Sequence, residues 1–427
     1  MKKKLPALLL AGLMLLTMSG CGSVFEDEYY YEEPFSGEIG TLSSDAMEIR
    51  NLSMLKTAIT GMISRHEEHG DFRLSNYKGN PSEDLAAACY EIKSSNPLGV
   101  YAVETLSYET NYVVSYYTAT IYVTYKRSLD EIRNVQYIDS REQLDLCVFR
   151  ALDSFTPETV VRIYSTEVDS DYLRALVKHH CYGDPVSMIR EPSVTVDAYP
   201  ADGPNRIYEL HLDFDLSQLQ SGAMSRELGE EIRRVAASLT EAETESARLA
   251  LAGTEYLSSL CAGTEEHGHY ADTAFGAFLE HAADSKGLAL AFRALCAELE
   301  IDCIVVEGSV GGKGGEPHFW NIIGLDGAYY HVDVSAFAGE DPGAAFLLND
   351  DDLWGTYLWD TEEYPACDGT LRYADLMPPE PGEPGTEEEP TEEGTEPEDD
   401  ETAEPDAPEE VETDAEEKND KENGNLP

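Results

Sequence analysis

A hydroxyl, an imidazole and a carboxylate stand in order along the later half of the sequence, at Ser285, His318 and Asp333. Brought together by a fold, these are the groups of nucleophilic chemistry at a carbonyl. Their surroundings say which elements carry them. Behind Asp284 the apolar positions Leu288, Phe292, Leu295, Cys296 and Leu299 recur on one helical face, predicting a helix that opens at Ser285. The unpaired N–H groups of a helix start favour negative charge there. Ile301 to Gly308 read as a buried strand, Ser309 to Pro317 as a glycine-rich loop, and His318 to Ile323 as a second strand. Asp326-Gly327 between two apolar runs is a strong hairpin signal, with Ala328 to Val334 as the returning strand. That hairpin sets His318 and Asp333 on neighbouring strands.

With His318 two residues before Trp320, and Asp333 closing His331-Val332-Asp333, the sequence resembles the transglutaminase-like (papain-like) family in its bacterial extracytoplasmic branch. The likeness runs from about Leu249 to Cys367. It includes Gly287 and Ala289 after the nucleophile position, Leu347 to Asp352, and Trp359-Asp360 through Tyr364-Pro365-Ala366-Cys367. It implies a nucleophile at a helix start, a histidine before an aromatic, and an aspartate on the next strand. By position these are Ser285, His318 as base and Asp333 as orienter. Ser285 stands where the family keeps its cysteine. A thiol near pKa about 8.5 needs only a modest depression to ionise. A serine hydroxyl must instead lose its proton during attack, and Asp284 beside it adds negative charge.

Two functions follow from that replacement. The leading expectation is a catalytically impaired member, a pseudoenzyme whose inherited cleft binds peptide, protein or cell-wall material. The alternative is an active acyl-transfer or hydrolase enzyme using Ser285, His318 and Asp333. A structural lipoprotein that docks a partner on its N-terminal region is a third class. Trp320 shares a strand face with His318 and is expected to line the cleft. Cys296 lies about 16 Å further along the helix and cannot replace the missing thiol. Cys303 opens a buried strand and reads as core.

No cofactor is implied. Gly311 to Gly315, around Lys313, lacks the spacing of a phosphate loop, and a strand follows it rather than a helix. No metal site is indicated either: the cysteines show no CxxC pair, and adjacent His179 and His180 project in different directions. Besides Cys21, seven cysteines remain of eight, an odd set that leaves at least one thiol unpaired within the chain. Most read as small buried apolar residues.

Lys2 to Lys4, an apolar run from Leu5 to Leu16 and then Ser19-Gly20-Cys21 resemble a lipoprotein signal, with lipid on Cys21. The apolar run is too short to span a bilayer. The expected location is the outer face of the cell membrane, with the membrane itself as a partner through lipid. A formal net charge of -55 over 427 residues excludes nucleic acid as a partner, because phosphate backbones would be repelled.

The expected fold class is α+β, in five parts. Residues 1–21 are the signal with its lipidation cysteine and 22–45 a flexible tether. Residues 46–222 form an N-terminal α+β region read as a weak duplication of helix, strand, helix, strand, strand. Residues 225–375 form the transglutaminase-like domain, and 378–427 a disordered acidic tail rich in Pro, Glu and Thr. Replacing Cys21 with Ala should release the protein from membranes or leave it misprocessed. Unchanged fractionation and gel migration of that variant would count against the anchor.

Overall fold

A computed structural model describes residues 46–261, 268–339 and 341–377. The export signal, Cys21, the tether and the acidic tail lie outside these residues. The chain is an α+β protein, and no helix among the described residues is long and apolar enough to cross a membrane.

The N-terminal region contains the same arrangement twice. In the first copy β1 (Met47–Glu48) precedes α1 (Leu52–Ser64), β2 (His69–Leu74), α2 (Pro81–Ser94), α3 (Pro97–Ala102), β3 (Val103–Val113) and β4 (Tyr116–Tyr125). After α4 (Leu129–Arg133), the second copy comprises β5 (Gln136–Ile138), α5 (Arg141–Asp153), β6 (Glu158–Tyr164), α6 (Ser170–Gly183), β7 (Ser193–Tyr199) and β8 (Asn205–Asp213). The two four-stranded sheets run β1-β2-β4-β3 and β5-β6-β8-β7. In each the first pair is parallel and the others antiparallel.

Local sequence explains most boundaries. Asn51, Asn80, Ser140 and Asp169 cap α1, α2, α5 and α6 by accepting backbone N–H bonds at their starts. Met47–Glu48 pair as a strand with Phe72–Arg73, so α1 starts only at Leu52. The strand β3 starts at Val103, behind α3. Asn96-Pro97 ends one helix and also begins another, since proline fits the first helical turn and Asn96 Oδ1 accepts from Gly99 N–H at 3.1 Å.

Each copy uses the stretch after its second helix to hold the next part of the chain. In the first copy that stretch is α3, whose Leu98, Tyr101 and Ala102 share an apolar cluster with Val160 and Ile207 of the second sheet. In the second copy it is Asp184 to Glu191. Arg190 reaches Asp272 at 2.7 Å and the His269 carbonyl at 2.5 Å, while Glu191 pairs with Lys286 at 3.0 Å.

The second half of the described chain begins with α7 (Gln218–Ala242) and α8 (Ser246–Leu260). The first starts early because Ser217 and Gln220 form a capping box at its N-terminus. A π-helical turn over Gly276–Glu280 leads to α9 (Ser285–Glu298). Then come β9 (Asp302–Val310), β10 (Glu316–Leu325), β11 (Ala328–Val332), β12 (Phe346–Leu348), α10 (Asp350–Leu353), β13 (Tyr357–Leu358) and α11 (Tyr373–Leu376). The five strands lie in the order β12-β11-β10-β9-β13. Asp326 and Gly327 take φ of 50° and 85°, the doubly left-handed turn that Asp-Gly favours between hairpin strands.

One apolar cluster runs without a break from Leu144 to Leu376 and so crosses the boundary expected at 222–225. Helix α6 faces the last sheet: Tyr182 meets Phe319 edge-on at 6.3 Å, and Lys178 pairs with Glu307 at 2.6 Å. A fragment of residues 225–377 should therefore expose this face and show no cooperative thermal transition, whereas residues 46–377 should melt cooperatively. A sharp melt of the shorter fragment by near-ultraviolet circular dichroism would contradict a shared core.

Candidate active site

The site forms where the start of α9 meets β10. Asp284 is the N-cap: its carboxylate accepts from Gly287 N–H at 2.9 Å, and its own N–H donates to the Ala271 carbonyl at 2.9 Å. Ser285 is the first helical residue, as expected. Gly287 is required by contact, since a Cβ there would lie 2.1 Å from the Ala271 oxygen. Asn321, fully buried on β10, donates from Nδ2 to the Ala289 carbonyl at 3.0 Å. This bond seats the helix on the strand one turn below Ser285.

His318 and Asp333 come together. The His318 ring binds Asp333 Oδ2 through Nε2 at 2.6 Å, and their side chains are 15% and 3% exposed. Asn321 pairs with Val332 in the hairpin, so Asp333 lies one step beyond that pair and diagonal to His318. Tyr357 donates its hydroxyl to the same Oδ2 at 2.7 Å. The other oxygen accepts from Ser335 Oγ at 2.7 Å and from the Ser335 and Ala336 N–H groups, each at 3.0 Å. Burial by itself would raise the Asp333 carboxyl. The His318 bond and charge, with Ser335 and Tyr357, outweigh it and hold the group below its ordinary value.

Ser285 reaches the strand but not the ring. Its Oγ accepts from Phe319 N–H at 3.3 Å, and among the described residues no hydrogen bond joins it to His318. With Nε2 held by Asp333, Nδ1 is the ring nitrogen left to meet Ser285. The anion-favouring helix start is already served by Asp284, whose carboxylate takes one of its N–H groups.

Trp320 does not line the cleft. It is 1% exposed and packs beneath His318, rings stacked at 6.1 Å, because its strand face is covered by Val306, Ile322 and Leu353. Its indole N–H donates to His331 Nδ1 at 3.0 Å, and His331 Nε2 lies 2.9 Å from Asp350 Oδ1. An indole can only donate, so Nδ1 is the acceptor and Nε2 carries the proton toward Asp350. His331, Asp350 and Cys367 converge like metal ligands. Both ring nitrogens are nonetheless in use, and burial pushes the Cys367 thiol up to about 12. The trio is a hydrogen-bond network that supports His318 from behind.

Sequence reading missed Tyr357 and this second histidine network. His331 was readable, because it precedes Asp333 by two residues on one strand and so shares its face. Tyr357 gave no signal, as it is 24 residues from its partner. Of the seven cysteines beyond Cys21, six are buried and Cys261 is partly exposed. Cys296 is fully buried, and Cys303 packs in the same core. His180 contacts Asp153 at 2.8 Å, at a helix end as expected.

No family model and no curated protein matches the chain. Solved structures similar to it include the following two. One is described as a crystal structure of a TGase, 13% identical, covering 52% of this chain and 62% of its own, with a TM-score of 0.24. The other is a putative cysteine protease from Cytophaga hutchinsonii, also 13% identical, covering 34% and 62%, with a TM-score of 0.22. The chain thus spans less than two thirds of either structure, and neither likeness assigns a residue role.

Two groups in the site resist protonation in the folded state. Burial outweighs the pull of Asp350 and keeps the His331 pKa low, and Asp333 is held low by its partners. In both cases the unfolded chain binds the proton more readily. Their stabilisation is complete above the unfolded pKa values and is lost as pH falls through the folded ones. Stability should decline from about pH 6.5 through His331, and further from about pH 4 through Asp333. Chemical denaturation of His331→Gln should show a shallower slope between neutral pH and pH 5. An unchanged slope would show that His331 titrates alike in both states.

Proposed function

We propose that this chain is a lipid-anchored protein of the outer membrane face whose transglutaminase-like cleft binds peptide or cell-wall material without efficient catalysis. The observation that carries the reading is the bonding of Ser285: its Oγ rests on Phe319 N–H rather than on the His318 ring. A serine needs a base at hydrogen-bond distance to become a nucleophile. Asp284 works against it as well, because a carboxylate next to the attacking oxygen opposes negative charge there. The dyad of His318 and Asp333 can serve binding, as a polar wall able to receive an amide or carboxylate.

One observation favours the rival reading. The dyad is intact, with a 2.6 Å bond and an orienting carboxylate held by four further donors. That geometry is what an active serine acyl-transfer or hydrolase enzyme would need from its base.

Restoring the thiol separates the two. Ser285→Cys should acquire a thiol that alkylates well ahead of the buried cysteines, with a pKa below about 8.5. Adding His318→Ala should raise that pKa, and adding Asp284→Asn should lower it. Wild type should form no acyl-enzyme with glutamine or peptide amides. Turnover by wild type that is abolished in both Ser285→Ala and His318→Ala would overturn the binding reading in favour of the serine enzyme.

A further inference from the structure

The outer face of the second sheet holds a group of side chains that the cleft does not use. Along β8 the residues Ile207, Glu209 and His211 point to the side where the first copy rests. Ile207 is covered, whereas the His211 side chain is 43% exposed. Between them Glu209 is 1% exposed, which for a carboxylate demands partners. Its Oε2 has them: Arg127 at 2.5 Å and the Tyr199 hydroxyl at 3.1 Å. Its Oε1 is buried without a hydrogen-bond partner among the described residues, as is the Tyr101 hydroxyl.

We propose that Glu158, Glu209 and His211 form a site for a divalent transition metal, with zinc as the best-matched ion. Glu158 lies directly across the ladder from His211, and Asp197 directly across from Glu209. Glu158 Oε2 is 3.7 Å from His211 Nδ1, and Glu209 Oε2 is 3.9 Å from His211 Nε2. The ligand atoms of the three residues lie within 4.8 Å of one another. One imidazole and two carboxylates make three protein ligands of the kind zinc accepts, with water completing a tetrahedron. The nitrogen disfavours calcium and magnesium, which prefer all-oxygen shells.

Charge points the same way. Among the described residues Arg127 is the cation bonded into this group, and it divides itself between Glu209 and Glu131, the latter at 3.2 Å. Glu131, Glu158, Asp197 and Glu209 therefore outnumber it. A metal ion here would add positive charge beside the buried Glu209 carboxylate, whose Oε1 has no hydrogen-bond partner among the described residues. It would also stiffen the seam on which α3 rests.

The test uses the full, untagged chain freed of metal by chelation and titrated with zinc in millimolar magnesium and calcium, which occupy weak acidic sites. Wild type should bind one zinc tightly at this site and melt at a higher temperature with zinc present. His211→Ala and Glu158→Gln, both at half-exposed positions, should each weaken that binding at least about tenfold and lose the thermal shift. Equal zinc binding by wild type and both variants, or no tight binding by wild type, would overturn the site. Should His211→Ala fail to fold, Glu158→Gln decides alone.

Discussion

The bond from Asn321 to the Ala289 carbonyl is the contact on which the site depends. It joins the helix that begins with Ser285 to the strand that carries His318, in a fully buried place where an unmade bond would be costly. The hairpin turn at Asp326-Gly327 then sets the register of β10 against β11. The register places Asp333 diagonally across from His318, and Tyr357 closes over the pair from the opposite edge strand. Gly287 belongs to the same constraint, because the helix start approaches Ala271 too closely for any side chain there.

Around that fixed point the electrostatics pull in two directions. The sheet supplies the His318 imidazole bonded to a carboxylate that several donors hold ionised. The helix supplies a hydroxyl beside a second carboxylate, at a terminus whose positive end that carboxylate already satisfies. A thiolate would compete with Asp284 for the same N–H groups, whereas a neutral hydroxyl does not. A neutral hydroxyl at Ser285 is thus consistent with Asp284 holding an N–H group of the helix start.

The paired sheets give the N-terminal region a mechanical logic. Each copy ends its second helix near a proline and lays the following stretch on its neighbour: α3 on the second sheet, and Asp184 to Glu191 beside Lys286. The covered sheet offers Val160 and Ile207 to the seam. The corresponding face of the first sheet presents His69, Asp71, Ser107, Glu109 and Tyr122, a polar surface suited to the end of a stack. The chain thereby extends one core into its last third, and the residue after Ser285 is held by Glu191 from the preceding copy.

The sequence by itself determined what depends on neighbours in the chain. Helical periodicity announced the helix behind Asp284, and Asp326-Gly327 announced the hairpin. The order serine, histidine, aspartate followed from these, together with the resemblance that named their roles. Two helix starts were not read from the sequence, at Pro97 and at Gln218 behind Ser217. The tertiary structure alone decided which partner each polar group takes. Tyr357 meets Asp333, Ser285 meets Phe319 N–H, Trp320 is buried instead of lining a cleft, and Arg127 meets Glu209 across 82 residues. These contacts join residues far apart in the chain and leave no periodic trace. They are selected by the burial of unpaired charge and hydrogen-bond donors, a cost that exists only once the core has closed.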